Sequence, residues 1–173
     1  MGLFITLDGL DASGKETQSV LLASALREKG YRVKELSFPM YGEKSAVAVE
    51  MYLGGMLGEK PEDTNAYAAS TFFSVDRYIS YRTDWQKDIA DPNTVVISNR
   101  YTTANAVHQL SKLPKEQWAT FLAWLWEFEF GKLGLPVPDV IGQKDIYLSL
   151  ELGRSVVETS AGLFIQARGA WNM

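Results

Sequence analysis

Near the amino end, Gly9-Leu10-Asp11-Ala12-Ser13-Gly14-Lys15 fits the pattern G-x-x-x-x-G-K. Its glycines let successive backbone N–H groups turn inward around phosphate oxygens, and a helix starting there adds its positive N-terminal end. Lys15 supplies a mobile point charge for the outer phosphates. The plainer reading is a glycine-rich turn with a surface lysine; a position at the first strand-to-helix junction favours phosphate binding. The next residue is Glu16, where a serine or threonine hydroxyl would ordinarily reach Mg²⁺. Thr17 points about 100° further round a helix. A magnesium ion arriving with phosphates would therefore fall partly to Thr17, or to Asp11 and the phosphate oxygens. Two further runs carry chemistry. Phe73-Ser74-Val75-Asp76-Arg77-Tyr78 holds an aromatic and a cation, and Ser98-Asn99-Arg100-Tyr101 ends an apolar run. Ligands of open α/β sheets bind beyond the carboxyl ends of strands, where Arg100 could clamp a phosphate bidentately. Arg77 equally fits a helix-surface ion pair with Asp76 or the neighbourhood of Tyr81, and the plainer reading of Phe73 is ordinary helix core.

The elements that must position these residues alternate. Leu3 to Asp8 reads as a strand, about Lys15 to Lys29 as a helix ended by Gly30, and Tyr31 to Leu36 as a second strand. Ser45 to Leu57 reads as a helix, and Asp63 or Thr64 to about Ile89 as a long one. Thr94 to Ser98 reads as a buried strand. Pro114 opens a helix to about Lys132 with Trp118, Phe121, Leu122, Leu125 and Phe128 on one face, and Ile146 to Leu150 reads as a fourth strand. Such alternation predicts a layered α/β fold in one domain, in keeping with 173 residues. There is no cysteine and a single histidine, His108, which excludes disulfides, thiolate nucleophiles and His-rich metal cages. Net charge is −4, from 17 basic and 21 acidic residues, with no basic stripe, so a nucleic-acid polymer is not expected as partner. Apolar runs fall short of the ~20 residues of a membrane span. The amino end lacks a secretory pattern, and the expected location is the cytoplasm.

Leu7-Asp8-Gly9-Leu10-Asp11-Ala12-Ser13-Gly14-Lys15-Glu16-Thr17-Gln18 resembles the N-terminal signature of thymidylate kinases. Phe38-Pro39, the Phe73-to-Arg77 run, Asn99-Arg100-Tyr101 and Leu135-Pro136-Val137-Pro138-Asp139 resemble that family's further motifs, in its order. The resemblance covers residues 1 to about 150. It implies a three-layer α/β/α P-loop kinase fold, with a central parallel sheet flanked by helices. It also implies phosphoryl transfer from Mg²⁺-ATP to dTMP, giving dTDP and ADP for dTTP synthesis. By the resemblance, residues Gly9 to Thr17 hold the ATP phosphates and Lys15 bridges donor and acceptor. Arg100 binds the acceptor phosphate with Tyr41, and Asp11 meets the sugar 3′-hydroxyl or a magnesium-bound water. Phe73 stacks on the thymine, Arg77 holds its edge and Asn105 hydrogen-bonds it. Tyr101 lies beneath the sugar, and Phe38 belongs to the same dTMP site. A two-fold homodimer through the aromatic helices is implied as well; the same aromatics could instead fill a monomer core.

Several positions depart from the family pattern. Asn99 stands where relatives often have Asp, Ala104 where they often have Ser, and Met40-Tyr41 where a charged residue commonly follows Phe-Pro. Gly142-Gln143-Lys144 interrupts the expected run from Asp139 into a strand. From Glu151 onward the basic residues are Arg154 and Arg168, with no recognisable lid or last helix; Gly162 to Ala167 offers a possible fifth strand. A nucleotide-binding protein with little catalysis is thus the alternative. A deoxynucleoside kinase is the nearest enzymatic rival, against which Asp11 speaks. Glu127 and Glu129 read as solvated acids, and His108 as a polar residue at the site's edge.

Overall fold

A computed structural model describes residues 1–9, 14–144, 157–158 and 163–167, with backbone alone from 143 onward. The chain forms two compact units: residues 1–37, 86–101 and 137–173, and residues 38–85 and 102–136.

The first unit is built on a sheet of strands β1 (Leu3–Gly9), β2 (Arg32–Ser37), β3 (Thr94–Asn99), β4 (Val140–Lys144), β5 (Val157–Glu158) and β6 (Leu163–Ala167). Their order is β2-β3-β1-β4-β6-β5. The first four run parallel, whereas β6 is antiparallel to both β4 and β5. Helix α1 (Lys15–Glu28) joins β1 to β2, which lie on either side of β3. That separation is what a crossover helix permits and a hairpin does not. Ile5, Leu7, Val95 and Ile97, alternate residues of β1 and β3, meet Ala23 of α1 in a buried cluster that Leu22, Leu26, Val33 and Val140 flank. The intervening Phe4, Thr6, Val96 and Ser98 are buried too, so the central strands are covered on both faces, as parallel strands require. At the opposite end from the phosphate motif, the Phe4 N–H donates to Asp139 Oδ2 at 2.9 Å, and the Asp139 N–H donates to the Phe4 carbonyl at 2.8 Å. Asp139 thereby sets the register of β4 on β1. The strand starts directly after it, so Gly142, Gln143 and Lys144 belong to β4 and do not interrupt it. The strand expected over Ile146 to Leu150 lies outside the described residues, as do Arg154 and Arg168. The fifth-strand expectation at Gly162 to Ala167 corresponds to β6.

The second unit is helical: α2 (Val47–Leu53), α3 (Ala66–Ser80), α5 (Thr102–Leu110) and α6 (Trp118–Trp126), with π-helical turns at Tyr81–Trp85 and Glu127–Lys132. The fourth helix, α4 (Gln86–Ala90), belongs to the first unit. The long helix expected from Asp63 or Thr64 to Ile89 is thus α3, a π turn and α4 in succession. It starts at Ala66 because Asn65 caps it, its side-chain oxygen accepting the Ala68 N–H at 2.9 Å. Ala66, Ala106, Leu110, Phe121 and Leu125 form the core where α3, α5 and α6 pack, with Tyr67, Trp118, Leu122 and Trp124 against it. Helix α5 was not expected from the sequence. Its buried face sets Ala106 and Leu110 among the polar Thr102, Asn105 and Gln109, so apolar residues alone do not mark it.

Candidate nucleotide site

In the first unit, the pairing of Leu7 with Asn99 brings the carboxyl ends of β1 and β3 level. Arg100 leaves β3 in the left-handed region, with φ +66°. For a residue with a Cβ this conformation costs about 1–2 kcal/mol. Two hydrogen bonds hold it: the Arg100 N–H donates to the Leu7 carbonyl at 2.9 Å, and Ser98 Oγ donates to the Arg100 carbonyl at 2.6 Å. Backbone strain of this kind concentrates at functional sites, and here it turns the chain sharply beside the end of β1. The ring of Tyr101 is buried edge-on against Phe4, centroids 5.0 Å apart.

Strand β1 ends in buried Asp8 and Gly9. Leu10, Asp11, Ala12 and Ser13 lie outside the described residues. Gly14 then takes φ +80° as the residue before α1, a conformation glycine adopts without penalty, and its carbonyl accepts the Gln18 N–H at 3.0 Å. Lys15 opens the helix half-buried, while Glu16 and Thr17 are exposed on its first turn. The first N–H groups of a helix have no acceptor within it and carry the positive end of its dipole. Lys15 and Arg100 therefore both follow the carboxyl ends of adjoining parallel strands.

The fit to magnesium turns on oxygen donors. Among the described residues no cluster of three or more His, Asp or Glu could hold a metal. A magnesium ion bound with phosphates needs only one or two protein oxygens, since phosphate and water supply the others. Asn99 Oδ1 is buried with no hydrogen-bond partner among the described residues, and the Thr17 hydroxyl is exposed on the first turn of α1. Oxygens of these types suit such an ion.

In the second unit, Phe73 and Arg77 stand one turn apart on α3, which packs against α5 carrying Asn105. Phe73 is half-buried, and the Tyr52 ring meets it edge-on at 6.1 Å. Lys112 Nζ donates to the Tyr52 hydroxyl at 2.6 Å and to the Thr64 carbonyl at 3.2 Å, fixing that ring from the far side. Asn105 is buried, and neither polar atom of its amide has a hydrogen-bond partner among the described residues. A buried amide left so costs about 1–3 kcal/mol, which a ligand with matching donors and acceptors would recover. Phe38 is buried, whereas Tyr41 is exposed.

Two expectations about charged residues need correction. Arg77 does not pair with Asp76 on the helix surface. It is buried and bound edge-on to Glu129, with Nε 3.1 Å from Oε2 and Nη2 against Oε1. Glu129 is fully buried and not solvated; Ser74 Oγ donates to its Oε1 at 2.7 Å and Thr102 Oγ1 donates to its Oε2. Burying two charges is costly unless their remaining hydrogen-bonding capacity is met, and here each carboxylate oxygen accepts two bonds. Phe121, Leu125 and Glu129 follow one another at intervals of four, so the apolar stripe of α6 leads directly to the buried glutamate. Glu127, by contrast, is exposed and pairs with Lys132 at 3.0 Å. Asp76 is also buried, accepting the Met40 N–H at 3.0 Å and the Ser45 hydroxyl at 2.7 Å. It anchors the segment carrying Phe38 and Tyr41 to α3.

Comparison with known proteins bears on this arrangement. The family model described as "Thymidylate kinase" matches residues 7–120. The thymidylate kinase of Mycobacterium tuberculosis is 33% identical over 138 residues, covering 79% of this chain and 63% of that protein. The human thymidylate kinase is 26% identical over 151 residues, covering 87% of this chain and 62% of that protein. The chain thus spans under two thirds of the length of these relatives. A solved structure of thymidylate kinase from Candida albicans superposes with a TM-score of 0.57 at 23% identity, over 81% of this chain and 61% of that one. This likeness shows the fold, the three-layer α/β/α P-loop architecture with a parallel central sheet, as the sequence leads one to expect. With the family model matching well over half of its residues, the chain belongs to the thymidylate kinase family.

Proposed function

We propose that the chain transfers the γ-phosphoryl group of ATP to dTMP, giving ADP and dTDP, in the cytoplasm. The observation that carries this reading is the placement of Lys15 and Arg100 after the carboxyl ends of β1 and β3. A phosphate oxygen of dTMP attacks the γ-phosphorus as the bond to the β–γ bridging oxygen breaks, and the electron pair leaves on ADP. This reaction asks the protein for in-line positioning and for cations around the equatorial oxygens. The loop from Gly9 to Thr17, with Leu10, Asp11, Ala12, Ser13, Gly14 and Glu16, contributes backbone amides for the ATP phosphates. Lys15 supplies a cation between donor and acceptor, and Arg100 holds the acceptor phosphate with Tyr41. Thr17 and Asp11, with the neutral amide oxygen of Asn99, would hold magnesium, which when bound neutralises charge on the phosphate oxygens. Phe73 offers its ring face to thymine, while Arg77 and Asn105 supply the polar contacts that distinguish one base from another. Tyr101 supports the sugar, Asp11 meets its 3′-hydroxyl, and Phe38 lines the dTMP site.

The second reading, a nucleotide binder with slow turnover, is favoured by neutral Asn99 at the end of β3 and by Glu16 after the lysine. One pair of measurements separates the two: a thermal-shift panel of dTMP, dUMP, AMP, GMP and ATP, and a coupled assay for ADP release. Selective stabilisation by dTMP and ATP is expected, because a ligand bound by the native state alone raises apparent stability. ADP release dependent on dTMP supports the kinase. Binding of both nucleotides without ADP release supports the second reading, and stabilisation by neither contradicts both. We also propose a homodimer. Val75 and Ile79 lie one turn apart on α3, 37% and 36% exposed, and sedimentation equilibrium at the monomer mass would contradict it.

A further inference from the structure

Arg77 presents its Nε–Nη2 edge to Glu129. A guanidinium is planar with five N–H groups in fixed directions, so a grip along that edge directs the Nη1 side away from the carboxylate. The carboxylate itself cannot easily turn, because Ser74 holds Oε1 and Thr102 holds Oε2. Those partners also join the two helices concerned: Ser74 and Arg77 sit on α3, and Thr102 opens α5, three residues before Asn105, whose amide follows one turn later. The charges of the pair cancel. An arginine buried alone would hold an uncompensated charge and attract an anion; paired with Glu129, it offers directed N–H donors and little net charge.

We propose that Glu129 is a positioning residue for base recognition: it aims the Nη1 side of Arg77 at the 4-carbonyl of a thymine ring, and its charge keeps phosphate groups from binding Arg77 instead. The proposal rests on the reading that Arg77 meets the base. The test titrates dTMP, dCMP and inorganic phosphate into the full chain and into the variants E129Q, S74A, R77A and R77A/E129Q. dCMP carries an amino group where dTMP carries the carbonyl, so it reports the direction of the donors. In E129Q the Kd for dTMP rises about tenfold, the scale of a lost charged hydrogen bond. The Kd for dCMP changes far less, so discrimination narrows, and phosphate binds more tightly. S74A removes one of the four bonds to the carboxylate and raises the dTMP Kd about threefold, less than loss of the whole bond, because Thr102 and Arg77 still hold Glu129. In the R77A background E129Q has no further effect, because Glu129 acts through Arg77.

A purely structural role gives a different pattern: in E129Q the Kd values for dTMP and dCMP move by the same factor and phosphate binding is unchanged. That result overturns the proposal. If E129Q does not fold, S74A decides, and an unaltered dTMP Kd in folded S74A overturns it. The two readings fail separately. Should R77A leave dTMP binding intact, the base site itself is misassigned. Should R77A weaken dTMP strongly while E129Q and S74A do not, only the role of Glu129 is refuted.

Discussion

Arg100 combines a left-handed backbone with a cationic side chain, and the two properties make opposite demands. Glycine would remove a cost of about 1–2 kcal/mol and lose the guanidinium. Arg100→Gly removes that strain but frees the unfolded chain, two effects of opposite sign, so its stability in urea denaturation should stay within about 1 kcal/mol of the parent. Its dTMP-dependent turnover should fall by about 10³-fold, the scale on which a phosphate-clamping arginine acts in phosphoryl transfer. Equal activity in the folded variant would remove Arg100 from the site. Gly14, Lys15 and Arg100 stand out in the sequence because their types and spacing suit phosphate chemistry at a strand-to-helix junction and beyond a strand end. What a linear reading obscures is partnership. Arg77 has an acid next to it at Asp76, yet its partner is Glu129, 52 residues away. Asp76 is turned instead to the Met40 N–H and the Ser45 hydroxyl. Only the four-residue stripe through Phe121 and Leu125 pointed to Glu129.

At the scale of elements, two contacts decide where the scaffold begins. Asn65 ends the search for the start of α3 by accepting the Ala68 N–H. Asn65→Ala should cost about 1 kcal/mol, lowering the melting temperature by about 2–4 °C; an unchanged midpoint would mean the cap contributes nothing. Gly2 precedes β1 and donates its N–H to the Ile89 carbonyl at 2.8 Å. A Cβ there would stand 2.4 Å from the Thr94 carbonyl oxygen and 2.6 Å from that of Asp91. Because both obstacles are backbone, Gly2→Ala should destabilise by about 1–3 kcal/mol, and chemical denaturation showing no loss would refute the close approach. The strands β1 and β3 could be read from apolar runs, and β2 from its place after Gly30, each within a residue of its ends. Helix α5 could not, since its buried face carries Thr102, Asn105 and Gln109 beside Ala106 and Leu110, and β4 could not, since Gly142 and Gln143 break the apolar pattern that register with β1 restores.

For the whole molecule, chemistry is divided between two units. The first carries Lys15 at the start of α1 and Arg100 just beyond β3, and the second carries Phe73, Arg77 and Asn105 on α3 and α5. Family membership rests on residues 7–120, which include all five of those side chains. Among the described residues no helix is long and apolar enough to cross a membrane. The central claim is that this arrangement moves a phosphoryl group to thymidylate. Incubating the chain with ATP labelled at the γ-phosphate and with dTMP, then separating the products, tests it most directly. Label should appear in dTDP with the parent protein, and fall by at least about 10²-fold with Lys15→Met, which removes one cation from the transition state. Absence of labelled dTDP with the parent protein, or labelling undiminished in Lys15→Met, would contradict the account.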